Sequence, residues 1–414
     1  MIIKLRQSRF NPSRTWRNGV NHSTQTVRVL IGGISSLILT MGIARFTYTP
    51  ALPRMQEALS MGDGAAGLLA ALNFAGYLSG ALLASRIGSG RLKLWLFRGG
   101  LVLALLCNAL LPLGDALPYW GALRYLSGLS SAAGMVLGTS LVLEYLARHA
   151  GRPLIGVHFG GVGVGIVLTA LAVGDSSLSW QMTWWMSALI GILFILPAWY
   201  WVGAPAASAT PGTAVHRANT GRTTEQPFRY LAASYFFAGG SFAVGTTFIL
   251  AVIEADPILA PVSGSAWLLL GLAAAPSCYL WVRWAGRFSP LQALLAAWLV
   301  QTAGLLLPLL GSAAATLAGA LLFGFTFMGI VAMVLGHAGQ LAQDNPARLM
   351  GLLVTSYGVG QIVGPLLAGQ LMTLSAEPAS ALWLAAGLSA AGGLLAIGSG
   401  EPERTPQRAC AEAG

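Results

Sequence analysis

Apolar runs of about 20 residues recur along this chain, and short clusters of glycine, proline and charged residues separate them. About 20 apolar residues in a helix cross the hydrocarbon core of a bilayer. By that rule the first half holds predicted helices at 27–49, 65–85, 94–113, 119–142, 154–173 and 183–202. The second half holds 230–252, 265–282, 290–310, 313–338, 349–372 and 379–398. The eighth of these is short, and Gly311 is expected to divide the ninth from the tenth. The fold class is therefore all-α and polytopic, with twelve transmembrane helices.

Between the halves lies a small, polar, proline-containing stretch, which reads as a flexible linker. The predicted organisation is a basic tail at 1–26, a six-helix bundle at 27–202, the linker at 203–229, a second six-helix bundle at 230–398 and a tail at 399–414. Weak internal similarity supports a duplication. Phe159-Gly160 opens a glycine-rich stretch in the fifth span, and Tyr357-Gly358 opens one in the eleventh. Arg86 and Arg91 after the second span parallel Arg283 and Arg287 after the eighth. Repeated bundles with a site between them near the midplane are a common design of secondary transporters.

Composition agrees with this pattern. Charged residues make up 9% of the chain and hydrophobic ones 55%, whereas soluble domains carry roughly 25% charged residues. The net charge of +10 raises the question of nucleic acid, and the placement of the basic residues answers it. Of the 23, Arg54 alone falls in an outer loop, and Arg45 and Arg124 fall inside spans. The rest sit in segments that lie on one side if the N-terminus is inside. That is the positive-inside rule, so no nucleic-acid partner is expected, and both termini are assigned to the cytoplasmic side. The inner basic residues set orientation and contact membrane lipid. The basic leader runs into an apolar stretch without a cleavage pattern and is read as the start of an uncleaved first span. The three cysteines have no disulfide or metal spacing. No metal or cofactor is expected.

Two charges break the apolar pattern. An arginine near the bilayer centre costs roughly 2.5–3.5 kcal/mol on insertion scales, so such residues normally face a protein interior or a watery cavity. Arg45 shares a helical face with Met41, Tyr48, Thr49 and Leu52, and Arg124 with Ser127, Gly128 and Ser131, by i±3/4/7 spacing. Guanidinium stays charged and forks onto carboxylate or phosphate. The pair, without intramembrane acids, points to an anionic solute. Two alternatives stand beside this: Arg45 snorkelling outward or capping a helix break near Pro50, and Arg124 held by backbone carbonyls. Asp115 or Glu254 approaching the arginines would remove the case for an anion. The spacings of Asn73 with Tyr77, and of Tyr357 with Gln361, place two further polar pairs on helix faces, for a ligand or for helix–helix hydrogen bonds. His158 and His337 are the candidates for a coupling proton, with helix packing as the alternative. Glu144 is expected to pair with Arg148 one turn on. The many tryptophans, including Trp180, Trp184, Trp185, Trp199 and Trp201, are expected mostly at membrane interfaces.

Three motifs resemble the major facilitator superfamily. Gly80 to Arg91, with Arg86 and Gly88 between, is similar to the signature gating loop between spans two and three, with Ser85 where the family has an aspartate. Arg124-Tyr125-Leu126-Ser127-Gly128 resembles the R-x-x-x-G of the fourth span, and Gly360-Gln361-Ile362-Val363-Gly364-Pro365 a glycine-rich antiporter motif. Gly42 to Pro50, followed by Leu52-Pro53, resembles the bacterial YbfB/YjiJ-type branch. The resemblance implies two pseudo-symmetric six-helix bundles, alternating access, a cavity lined by the first and fourth spans, and a monomer.

The functional expectation is a secondary transporter of a small organic anion. A membrane enzyme needs a nucleophile with a base, a metal cluster or paired acids. No H-E-x-x-H, D-D-x-x-D or G-x-S-x-G pattern is present. A non-transporting sensor on a transporter scaffold is the alternative, and no added soluble domain speaks for it.

Overall fold

The computed structural model describes residues 12–149, 154–173, 178–203, 225–341 and 346–400. Arg152, Asp175, Arg217, Arg222, residues 1–11 and residues 401–414 lie outside the described residues. Among the described residues twelve apolar helices carry the fold. They are α1 (Thr24–Leu59), α2 (Asp63–Ala84), α3 (Gly90–Leu113), α4 (Leu117–His149), α5 (Leu154–Val173) and α6 (Trp180–Trp201), then α7 (Gln226–Ala255), α8 (Ala260–Ala285), α9 (Pro290–Leu310), α10 (Ala313–Ala338), α11 (Leu349–Ser375) and α12 (Ser380–Ile397). Eleven are long enough to cross a membrane, and the apolar part of α5 is shorter.

The two halves repeat one packing scheme. α1 packs on α5 and α6, as α7 packs on α11 and α12; α2 packs on α4, as α8 packs on α10. The halves meet where α2 lies along α11 and α5 lies along α8, two contacts that the pseudo-symmetry exchanges. Outward-facing leucines such as Leu193, Leu299 and Leu394 are 68–74% exposed, a surface that only lipid covers favourably.

Several boundaries differ from the sequence reading. Helical residues begin at Pro12, ahead of the first apolar run, and the seventh-span helix begins at Glu225, inside the predicted linker. α8 is a full-length span. Gly311, at φ +68°, ends α9 in a left-handed conformation that glycine adopts without a Cβ penalty.

The largest difference is in α1, which continues through Pro50 and Pro53 to Leu59. Pro50 falls in the first turn of a fresh helical segment that opens at Tyr48, where a missing N–H costs little. There is thus no helix break near Pro50 for Arg45 to cap. α1 and α4 also each contain one π-helical segment, Ile38–Ile43 and Ala133–Gly138. These wide turns are typical of functional regions, and no residue pattern announced them.

The tryptophans are less interfacial than expected. Trp184, Trp267, Trp281 and Trp298 are among the largest fully buried side chains, and Trp180 meets Trp120 edge-on. Trp185 and Trp201 do face outward.

Candidate functional site

Among the described residues, Arg45 and Arg124 are the only buried lysine, arginine or acidic side chains, at 4% and 3% exposure. Arg45 follows the π-segment of α1, and Arg124 precedes that of α4. The two helices are stitched together beside them. Ser127 Oγ donates to the Ala44 carbonyl at 2.9 Å, and Ser131 Oγ donates to the Thr40 carbonyl at 2.6 Å. These serines, on the same face as Arg124, therefore serve α1 rather than a ligand.

α2 supplies the next layer. Arg45 Nε donates to Asn73 Oδ1 at 3.3 Å, and Asn73 Nδ2 donates to the Arg124 carbonyl at 2.9 Å. Asn73 thus positions both arginines. This depends on contact between α2 and α4, where a Cβ on Gly128 would overlap the Asn73 carbonyl oxygen and one on Gly76 the Tyr125 carbonyl oxygen.

Rings complete the surroundings. The Arg45 guanidinium lies 4.5 Å from the Tyr77 ring centroid and 4.9 Å from that of Phe74, and Arg124 lies 4.3 Å from Tyr48. Such stacking partly offsets the lost hydration of a cation. The Tyr48 hydroxyl donates to the Ala66 carbonyl at 2.8 Å, which fixes that ring. Across the interface, the Tyr357 phenol is within electrostatic reach of Arg45, and the two guanidiniums are within reach of each other.

Among the described residues no counter-charge lies against either arginine. Neither arginine forms an ion pair with a described residue, so Asp115 and Glu254 do not neutralise them. Arg45 Nη2 and Arg124 Nε and Nη1 are buried without a hydrogen-bond partner. Removing charged donors from water without replacing those bonds is costly, and in a binding site these donors are the natural partners of a ligand.

The predicted residues thus divide into groups. Arg45, Arg124, Tyr48, Asn73, Tyr77 and Tyr357 come together. Gln361 is buried on α11 with Oε1 unpartnered. His158 stands apart, its Nε2 3.0 Å from Thr139 Oγ1, and His337 Nε2 lies 3.1 Å from the Ser399 carbonyl. The loop bearing Arg86, Gly88 and Arg91 is exposed, and Gly80 packs on Ala132 of α4. Glu144 pairs with Lys93 of α3 at 2.9 Å, rather than with Arg148. Ser140 Oγ also donates to Glu144 at 3.1 Å, so the carboxylate is drawn sideways to α3.

Residues not foreseen are Phe46, Phe74, Phe242, Phe327 and Trp267. Phe242 of α7 meets Phe46 and Phe74 edge-on at 6.3 and 6.2 Å, Phe327 at 5.2 Å and Tyr357 at 6.3 Å. A cavity of about 400 Å³ lies beyond Pro50, lined by Arg54, Glu57, Glu254 and Trp267 among others. The Trp267 ring meets Phe46, the neighbour of Arg45, at 6.2 Å.

Two matched six-helix halves around a shared interior define a multi-pass membrane protein of the major facilitator fold. The chain belongs to the family described as "Uncharacterised MFS-type transporter YbfB", whose model matches residues 37–397. Among solved structures it is similar to the nucleoside transporter NupG, at 13% identity and a TM-score of 0.66 over 91% of this chain and 98% of that one. It is also similar to the human organic anion transporter MFSD10, at 18% and 0.61 over 90% and 99%. A third is a bacterial homologue of the human lysosomal transporter Spinster, inward-facing and unoccupied, at 16% and 0.63 over 90% and 94%. At these identities the likeness concerns the fold. A comparison with curated proteins gives no match. The family is one of transporters rather than enzymes, and it implies a small-molecule substrate.

Proposed function

We propose that this protein is a secondary transporter that carries a small organic anion by alternating access, with Arg45 and Arg124 holding the anionic group. One observation supports this above the rest: two guanidiniums are buried at the shared interior with free donors and no carboxylate beside them. A buried unpaired charge is unfavourable unless a partner arrives, and a solute anion is that partner. Asn73 ties the Arg45 guanidinium to the backbone of Arg124, while Tyr48, Tyr77 and Tyr357 wall the site.

Rocking of the halves about the α2–α11 and α5–α8 contacts would expose the site to each side in turn. Thr49 Oγ1 donates to the Thr246 carbonyl at 2.5 Å, tying α1 to α7 at the end assigned to the outside. If a proton is coupled, its candidates among the described membrane residues are His158 and His337, both buried with Nδ1 unpartnered. The placement is the bacterial inner membrane, with both termini cytoplasmic, lipid against the basic inner loops, and a monomeric chain.

The test is flux in proteoliposomes containing the purified protein. Arg45→Glu and Arg124→Glu are expected to insert normally and to lose organic-anion flux. Undiminished flux in both would refute the assignment. Replacing each histidine with glutamine and following solute-driven proton movement decides whether either carries a proton.

A further inference from the structure

The two halves are unequal in what they bring to the site. The N-terminal half contributes both cations and the amide that holds them. The C-terminal half has no buried lysine, arginine or acidic residue among those described. It contributes rings: Phe242, Phe327 and Tyr357, with Tyr235 stacked on Tyr357 at a centroid distance of 4.5 Å. Three of its hydroxyls nearby are already engaged. Ser241 donates to the Ala385 carbonyl, Thr246 to the Phe242 carbonyl and Thr326 to carbonyls of its own turn.

The ring contacts also lie where the halves part. Phe46 and Phe74 belong to α1 and α2, and Phe242 belongs to α7. A movement of α7 away from α1 and α2 would open the edge-on contacts at 6.3 and 6.2 Å into a slot. Rings wall that slot on both faces, and the Arg45 guanidinium already lies over the Phe74 ring at one edge. A flat apolar body entering the slot replaces the ring contacts that the motion breaks, and its anionic group reaches the free guanidinium donors.

We infer that the solute is an aromatic carboxylate, bound with its carboxylate on Arg45 and Arg124 and its ring between Phe74 and Phe242. This rests on the anion reading above and narrows it. Phe242 is then a specificity-determining residue, because its ring distinguishes flat anions from other anions of equal charge.

The experiment titrates the full-length protein in lipid nanodiscs with benzoate, acetate, gluconate and neutral benzamide. Three variants run alongside: Phe242→Leu, which keeps apolar volume without a ring, Phe327→Leu, and Arg45→Gln. Benzoate is expected to bind about tenfold or more tightly than acetate or gluconate, a difference in line with aromatic contacts added to apolar burial. Phe242→Leu should remove most of that preference while acetate affinity stays put. Arg45→Gln should weaken both acids. Benzoate binding no better than acetate, with both still lost in Arg45→Gln, would overturn the aromatic inference and leave the anion reading standing. A benzoate preference unchanged in both phenylalanine variants would overturn the placement of the ring. Benzamide binding as tightly as benzoate, or no binding of any acid, would overturn both readings.

Discussion

Arg45 and Arg124 each carry a charge that the fold leaves unneutralised, and neighbouring side chains respond to it. Cys107 is buried within electrostatic reach of Arg124. Cys107→Asp is therefore expected to supply an internal counter-ion. It should raise the thermal stability of the empty protein and weaken solute binding, read by unfolding temperature and by titration. Unchanged binding in a folded variant would mean that Arg124 does not meet the solute. Asn73 is fully buried and makes one hydrogen bond to each arginine-bearing residue. Asn73→Ala leaves those partners unsatisfied, and a cost of about 1–3 kcal/mol is expected, seen as a lower unfolding temperature. The arginines were legible in the sequence because charge in an apolar run is conspicuous. Phe74 and Phe242 were not. An aromatic residue in an apolar helix has no pattern to set it apart, and only the tertiary arrangement puts Phe74 against Arg45 and Phe242 against Phe74.

At the scale of elements, the helix count was readable because hydrophobic length is dictated by the bilayer. The continuation of α1 past Pro50 was not readable. A proline weighs against a helix interior unless it falls in a first turn, and the π-segment and new start at Tyr48 that make this so leave no periodic trace. Helix contacts give sharp expectations. A Cβ at Gly128 would overlap the Asn73 carbonyl oxygen, so Gly128→Ala should push α2 from α4. A loss of about 1–3 kcal/mol, typical of overpacking, should accompany weaker solute binding, because the same contact positions Asn73. The Lys93–Glu144 pair joins α3 to α4, with side chains 18% and 33% exposed. At that exposure its contribution is expected below about 1 kcal/mol, and a double-mutant cycle with Lys93→Met and Glu144→Gln measures it. The sequence suggested Arg148 as partner because helical spacing is visible along the chain, whereas the approach of α3 is not.

For the whole molecule, duplication explains the architecture, and divergence between the copies explains the site. The packing scheme is repeated, yet the buried lysines, arginines and acids described lie in the first half alone, and the opposing face is made of rings. On the proposed reading, pseudo-symmetry sets how the halves move, while their asymmetry sets what is recognised. The proposed orientation rests on charge. With both termini inside, the C-terminal Cys410 should react with a membrane-impermeant maleimide only after cells are opened; Cys107 and Cys278 are buried. Labelling of Cys410 on intact cells would reverse the topology and exchange the inner and outer sides of the site.

The most direct test of the central claim is a thermal-shift comparison of wild type, Arg45→Gln and Arg124→Gln against small organic anions, cations and neutral solutes. A ligand that binds only the folded state raises apparent stability in proportion to RT ln(1 + [L]/Kd), so weak binders register at high concentration. The account predicts stabilisation of the wild type by anions alone, lost in both variants. Stabilisation by neutral or cationic solutes, equal in all three proteins, would contradict it and make the arginines structural.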